Sequence, residues 1–427
     1  MKKLIILLLF SFTCGINFSQ NYPFTEQNSG VTTELNSSAC SPTPWMTSLN
    51  VNWVCGNNGV VIRSKAFDSV WISTGQNGIP ISVNLVNICA IDTMIALTAG
   101  YTGVNTYIYR TTNKGDNWAL NFTQTGGYIN AIYFNNQQTG FVMGNPVGGR
   151  WSLWKSTDLG VTWDSSGLYL PQNNNESSFN NCLSMRSGNI CFGTDNSRIY
   201  LSTNLGQSWT AKQINMANVY AVSYLSGTIY AGGAQLYKST NSGNNWLLIN
   251  APGTGYITGF AYLGYDLFGY YVRGNAIYRT NNSGYNWILA HTAPAGIYNY
   301  INGGVNDWYY VDIMGVRNNG GISKYYLVLG GLEKIENKIP DKYSLSQNYP
   351  NPFNPKSKIK FDIAKSGNVK LIIYDILGRE ITVLVNEKLK AGTYETEWDG
   401  TNYPSGVYFY KLVTAGYTET RKMVLVK

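Results

Sequence analysis

Glu176 is the only glutamate between residues 40 and 332, and His291 is the only histidine of the chain. Hydrolysis of a glycosidic bond by the common route needs two carboxylates across the scissile bond, one to protonate the leaving oxygen and one to attack or to activate water. A lone glutamate cannot by itself supply that pair. Nucleophilic catalysis of the Ser-His-Asp or Cys-His kind needs a base, and every such arrangement here would have to be built on His291. Without a second histidine or a C-x-x-C, zinc and facial-triad sites lack their ligands, and no D-x-D-x-D-G loop is present for calcium. The arginines of the same region are Arg63, Arg110, Arg150, Arg186, Arg198, Arg273, Arg279 and Arg317, and three of them (Arg63, Arg110 and Arg279) sit in a strand leading into a repeated turn. We therefore expect no catalytic residue, no cofactor and no metal.

Binding chemistry is better represented. The chain has 33 tyrosines, many of them in "GYITGFAYLGYDLFGYYVRG" (255–274) and "GIYNYINGG" (296–304). Such rings stack on sugars or peptides, or pack within strands. The segment "PQNNNESSFNN" (171–181) interrupts the surrounding pattern and is expected to project as a loop. The net charge of +8 is dispersed, with no block of five or six basic residues, and no phosphate-cradling glycine loop occurs. Nucleic acid is therefore not an expected partner, whereas weak affinity for acidic polysaccharide or lipopolysaccharide is compatible with the charge.

The elements that must position these residues are strands. Aromatic residues (14%) outnumber charged ones (13%), a balance that suits extended segments, and 427 residues allow two domains. Five segments align without gaps: "IYRTTNKGDNW" (108–118), "LWKSTDLGVTW" (153–163), "IYLSTNLGQSW" (199–209), "LYKSTNSGNNW" (236–246) and "IYRTNNSGYNW" (277–287). Each reads as strand, tight turn and tryptophan. The turn opens on Thr111, Ser156, Ser202, Ser239 or Thr280, followed two residues on by Asn113, Asp158, Asn204, Asn241 or Asn282. These side chains can bond their own backbone, and Gly115, Gly160, Gly206, Gly243 and Gly284 then supply a positive φ. Trp118, Trp163, Trp209, Trp246 and Trp287 bring large buried area.

A second signal is an apolar run ending in glycine, at Gly56, Gly100, Gly144, Gly193, Gly232, Gly274 and Gly315. Two weaker boxes flank the series, "VIRSKAFDSVW" (61–71) and "GISKYYLVL" (321–329). One repeat is thus four short strands in about 42 residues, the size of a propeller blade.

These boxes resemble the Asp-box, or bacterial neuraminidase (BNR) repeat, of propellers such as sialidases, sortilin-type receptors and photosystem II assembly factor-like proteins. The resemblance covers residues 40 to about 332. It implies an all-β, seven-bladed β-propeller, with six or eight blades as alternatives, in which the box is a structural rim turn and not the active site. Only Asp158 keeps the aspartate of the pattern. A sialidase would further need a tyrosine nucleophile with its glutamate, three arginines on the substrate carboxylate and an F/Y-R-I-P motif, which is missing.

After Gly331 the boxes stop. "SKIKFDI", "NVKLIIYDI", "REITVLVN", "GTYETEWDG", "GVYFYKLVT" and "TETRKMVLV" alternate apolar and polar residues, as in an immunoglobulin-like sandwich. The segment from Tyr343 to Lys427 closely resembles the type A C-terminal sorting domain of type IX secretion. The resemblance rests on "NYPNPFNP" (Asn348, Tyr349, Pro350, Asn351, Pro352, Phe353, Asn354 and Pro355), "VKLIIYDILGRE", "AGTYETEWDG", "PSGVYFYKL" and "KMVLVK", with Gly378, Gly392, Gly406 and Lys422 at the family's turn and terminal positions. It implies recognition by an outer-membrane translocon, removal by a sortase-like protease, and attachment to lipopolysaccharide or release.

The start, "MKKLIILLLFSFTCGINFSQ", reads as a secretory leader cleaved after Gly15 or Ser19, its apolar run being too short to span a bilayer. No transmembrane segment is expected in the mature protein. Export permits disulfides among Cys40, Cys55, Cys89, Cys182 and Cys191, with Cys182 and Cys191 placed to close across a hairpin. The expected organisation is a leader (1–19), a propeller (20–332), a linker (333–342) and a sorting domain (343–427). The expected protein reaches the medium or outer surface of a Gram-negative bacterium through the periplasm. There its propeller binds a glycan or protein, or alternatively hydrolyses an extracellular polysaccharide.

Overall fold

The computed structural model describes residues 24–41, 51–65, 70–134, 138–262, 268–306, 310–328, 333–336, 339–400 and 403–427. The leader read in residues 1–19 lies outside them.

Among the described residues, seven antiparallel sheets precede Glu333. Their innermost strands are Leu35–Cys40, Asn84–Ala90, Ile129–Phe134, Leu183–Arg186, Ala221–Leu225, Ile257–Tyr262 and Tyr298–Asn306. Each abuts the next, and the last abuts the first, so the sheets close into a ring. Burial falls from the axis outwards. Ala221–Leu225 is buried throughout, whereas the outer strand Ala119–Thr125 is mostly exposed. The apolar runs that end in glycine are the second strands, such as Val51–Gly56 and Asn189–Gly193, which are covered on both faces by neighbouring sheets.

Closure is made by the two ends of the ring. Thr25–Gln27 is the outermost strand of the seventh sheet and pairs with Ile322–Val328, Thr25 lying opposite Lys324. The weak box at 321–329 thus has no following outer strand of its own, because that strand comes from the start of the chain. In the third sheet the outer position is held by two isolated bridges, Arg150 with Pro171 and Lys155 with Asp164.

The recurrent glycines permit close passage of backbone. A Cβ at Gly56 would lie 2.2 Å from the carbonyl oxygen of Glu34, and one at Gly144 would lie 2.4 Å from that of Gly127. In both cases the segment leading into the inner strand crosses over the second strand.

The C-terminal region is a sandwich of two four-stranded sheets. One contains Glu333–Glu336, Gly392–Asp399, Lys356–Ile363 and Ser344–Leu345; the other contains Glu380–Leu389, Gly367–Tyr374, Gly406–Thr414 and Tyr417–Leu425. Alternation sends Ile359, Phe361, Leu371, Ile373, Tyr410, Leu412 and Met423 into the space between them. The expected linker is corrected at its start. Glu333–Glu336 pairs antiparallel with Gly392–Asp399, so four of those ten residues are sandwich rather than spacer.

Candidate functional site

The five box turns share one geometry. In the first, Gly115 N–H donates to Thr111 Oγ1 (2.9 Å), Asn117 N–H donates to Asn113 Oδ1 (3.0 Å), and the Thr111 hydroxyl donates to Asn113 Oδ1 (2.9 Å). Ser156–Asp158–Gly160, Ser202–Asn204–Gly206, Ser239–Asn241–Gly243 and Thr280–Asn282–Gly284 repeat it. Hydrogen bonds from Thr162 and its neighbours hold the Asp158 carboxyl down to about 2. Its acceptor role is filled by Asn in the other four copies. Sequence reasoning placed one left-handed residue in each turn, but there are two: Lys114, Leu159, Leu205, Ser242 and Ser283 also have positive φ. Four of them donate their N–H to the first hairpin of the same sheet, to Met94, Gln138, Gly188 and Gly227. The turns therefore clamp one face of the ring. Trp118 and Trp287 are buried beneath it, and Trp163, Trp209 and Trp246 are partly so.

In an up-and-down sheet the middle hairpins and the connections between sheets lie on the opposite face. That face carries two features that sequence reasoning missed as features. The first is a bulge near the start of an inner strand, at Asn36, Val86, Asn130, Thr258 and Asn299. At three of these the side chain reaches the next sheet: Asn36 Nδ2 donates to Leu85 O (2.7 Å), Thr258 Oγ1 to Tyr298 O (3.0 Å), and Asn299 Nδ2 to Leu35 O (2.9 Å). Val86 cannot do this, and Asn181 reaches in instead. Its Nδ2 donates to Val86 O and Asn36 O, its Oδ1 accepts from Asn87, and its N–H donates to Asn130 O.

The asparagine-rich loop therefore docks inwards at its end rather than simply projecting. Glu176, half-way along it, is buried. It accepts from Arg198 Nη1 at 2.6 Å, from the Tyr200 hydroxyl and from Asn173 N–H (3.2 Å). Both carboxylate oxygens are thus engaged by the fold itself. Burial, and then that carboxylate, push the Tyr200 hydroxyl up to about 12.

The second feature is a row of aromatic rings crossing three sheets on the same face. Phe179 meets Tyr220 at 4.2 Å between centroids, and Tyr220 meets Tyr256 at 4.7 Å. Tyr256 is 53% exposed. Around the ring, Tyr101 and Tyr128 form a further pair at 5.1 Å. Of the tyrosines suggested as stacking groups, Tyr270, Tyr271 and Tyr298 are instead buried in the sheets, and residues 263–267 lie outside the described ones.

His291 is accounted for by ring closure. Its Nε2 lies 2.8 Å from Glu26 Oε1, and Arg317 Nη2 and Ser323 Oγ donate to the same carboxylate at 2.5 and 2.6 Å. Burial opposes ionisation of Glu26, but the hydrogen bonds from Arg317, Ser323 and His291 outweigh it and hold the carboxyl below its usual range. A carboxylate depressed in the folded state contributes stability that is present above its unfolded value and is lost as pH falls through its folded one. We expect Thr25–Gln27 to gain hydrogen-exchange protection as pH rises from below about 4 to about 6, and Glu26→Gln to flatten that profile. An unchanged profile in the variant would refute the assignment.

Cys55, Cys89, Cys182 and Cys191 carry free thiols. The expected closure of Cys182 with Cys191 fails on register, since Cys191 lies opposite Ser184 and Leu183 opposite Phe192. Cys182 instead donates to Val219 O, and burial pushes its thiol up to about 12.

In the sandwich, "NYPNPFNP" is folded against the last strand. Asn348 is buried, its side chain donating to Ser357 Oγ and Pro350 O and its N–H donating to the Tyr410 hydroxyl. Tyr349 exchanges backbone bonds with Lys358, and the peptides before Pro350 and Pro352 are cis. Asn351 Oδ1 accepts from Val424 N–H, Phe353 N–H donates to Val424 O, and Val426 N–H donates to Phe353 O. Gln347 Nε2 donates to the carbonyl of Lys422. Phe353 is buried against Trp398 (5.4 Å), Pro355 O accepts from Gly400 N–H, and Asn354 is exposed. Gly378 has φ +74° in a turn, whereas Gly392 and Gly406 begin strands.

No curated protein matches the chain. Among solved structures it is similar to YCF48 from Cyanidioschyzon merolae (TM-score 0.58, 13% identity, covering 71% of this chain and 98% of that one). It is also similar to YCF48 bound to a D1 peptide (0.53, 13%, 71% and 96%) and to a chain of a mitotic checkpoint complex (0.51, 13%, 72% and 91%). Residues 347–427 match the family described as the secretion system C-terminal sorting domain, which marks the chain for type IX secretion. No helix among the described residues is long and apolar enough to cross a membrane. The chain is thus a β-propeller of the fold seen in YCF48 followed by an immunoglobulin-like sandwich, and that sandwich is a secretion system C-terminal sorting domain.

Proposed function

We propose that this exported chain is a seven-bladed propeller of the Asp-box kind that binds an extracellular polysaccharide or protein and does not cleave it. A leader over residues 1–19 delivers it to the periplasm, and the sorting domain passes it to the outer surface or the medium. The ligand lies on the face opposite the box turns. The observation that carries this reading is the Phe179–Tyr220–Tyr256 row, which borders inward-reaching asparagines on a face suited to stacking and amide hydrogen bonding. YCF48, a propeller of similar fold, has been seen with a peptide bound, so the architecture accommodates a protein ligand as readily as a glycan. Hydrolysis through Glu176 is disfavoured because its carboxylate is held by Arg198 and Tyr200.

The test uses the secreted protein on arrayed glycans and in pull-downs of cell-surface proteins. Tyr256→Ala should weaken whichever interaction is found by about tenfold, as expected for loss of an aromatic anchor. Turnover of fluorogenic glycosides that disappears on removal of one carboxylate would sink the binding reading.

A further inference from the structure

The strand Gly367–Tyr374 is followed by a turn held more rigidly than its length requires. Asp375 Oδ1 accepts the N–H groups of Leu377 and Arg379, both at 2.9 Å, and its Oδ2 accepts Arg379 Nε at 2.6 Å. Two backbone bonds, Asp375 N–H to Arg379 O and Gly378 N–H to Asp375 O, close it again. Such a turn could serve any hairpin, but its tip is apolar. Ile376 is 70% exposed and Leu377 is 74% exposed. Neither packs into the sandwich, so folding of the domain does not account for their aliphatic character.

Beside the tip, an open groove of about 330 Å³ runs over the outer face of the sheet, floored by Tyr374 and Phe409 and edged by Lys411 and Thr420. Lys422 lies opposite Phe409 on the neighbouring strand. Asp375 is already neutralised by Arg379, whose side chain is 73% exposed, and Glu380, opposite Tyr374, is paired with Lys370. The surface is therefore an apolar protrusion and a partly aromatic groove with a cationic rim. Preorganisation matters because a partner need not order the turn on binding, which is where mobile loops lose affinity.

We propose that the Ile376–Leu377 tip and the groove beside it are the surface by which the sorting domain docks on the secretion machinery. The partner is a protein offering an apolar pocket rimmed by carboxylates. The proposal rests on the sorting assignment of residues 347–427 and adds to it the place and chemistry of recognition.

The test is made on the full chain in a host with active type IX secretion. Ile376→Ser combined with Leu377→Ser should lower the secreted fraction at least about tenfold, as for loss of a hot-spot anchor, with the unsecreted chain accumulating in the periplasm. Its melting temperature should stay at the parent value, since both side chains face water. Lys411→Glu, which reverses one charge of the rim, should also lower secretion. If secretion of the double variant is undiminished while deletion of residues 333–427 abolishes it, the docking surface is refuted and the sorting assignment stands. If the deletion leaves secretion intact, both fail. Should the double variant melt lower, Leu377→Ala decides: reduced secretion supports the surface, and parent-level secretion overturns it.

Discussion

Deleting residues 333–427 should abolish secretion and leave the propeller in the periplasm. Fractionation and immunoblotting of medium, outer membrane and periplasm would show it, and undiminished secretion would refute the sorting assignment. The position of the cut follows from the structure. A truncation after residue 342, where the sequence suggests a linker ends, would strand Glu333–Glu336 without its partner Gly392–Asp399. The unpaired strand would expose backbone groups and invite aggregation. Periplasmic retention could then reflect misfolding rather than loss of the signal. Cutting ahead of Glu333 removes both sheets of the sandwich together and leaves the seven sheets of the ring with their own pairings.

Glu176→Ala should destabilise the propeller by about 3–5 kcal/mol. Arg198 and Glu176 are both almost wholly buried, so removing the carboxylate leaves a guanidinium and the Tyr200 hydroxyl without their acceptor. The expected fall in melting temperature is on the order of 10 °C, read by calorimetry or circular dichroism. Glu176→Gln should be milder, because an amide oxygen still accepts from Tyr200 while the charge pairing with Arg198 is lost. A catalytic carboxylate would behave oppositely, since its alanine variant keeps its melting temperature and loses turnover. A parent-like melting temperature for Glu176→Ala would overturn the structural role given to it here.

The contrast shows what the sequence could and could not disclose. The box turns were legible because each residue type acts locally, a hydroxyl accepting from the glycine N–H, an amide or carboxylate capping the next turn, and a glycine supplying positive φ. The sorting sandwich was legible from period-two alternation and from its motifs. The bulge asparagines were not, since Asn36, Asn130 and Asn299 sit in short segments of ordinary composition, and the partners of Asn36 and Asn299 lie in other sheets. Sequence proximity likewise misled for Cys182 and Cys191, where the two-residue register of the hairpin decides which side chains face each other. Glu176 illustrates the same limit. Its scarcity suggested chemistry to be tested, but only its burial beside Arg198 shows that the group is occupied.

The pairing of Thr25 with Lys324 has a temporal consequence. Strands within a sheet meet over a few residues of intervening chain, but this contact closes a loop of nearly the entire ring, and contacts of such separation form slowly. Thr25–Gln27, the first strand among the described residues, is thus among the last to find its place. Until it does, the outer edge of Ile322–Val328 is open to any extended segment in the compartment where the protein folds. The ring is therefore complete only when two segments far apart in sequence have met, whatever the state of each sheet between them.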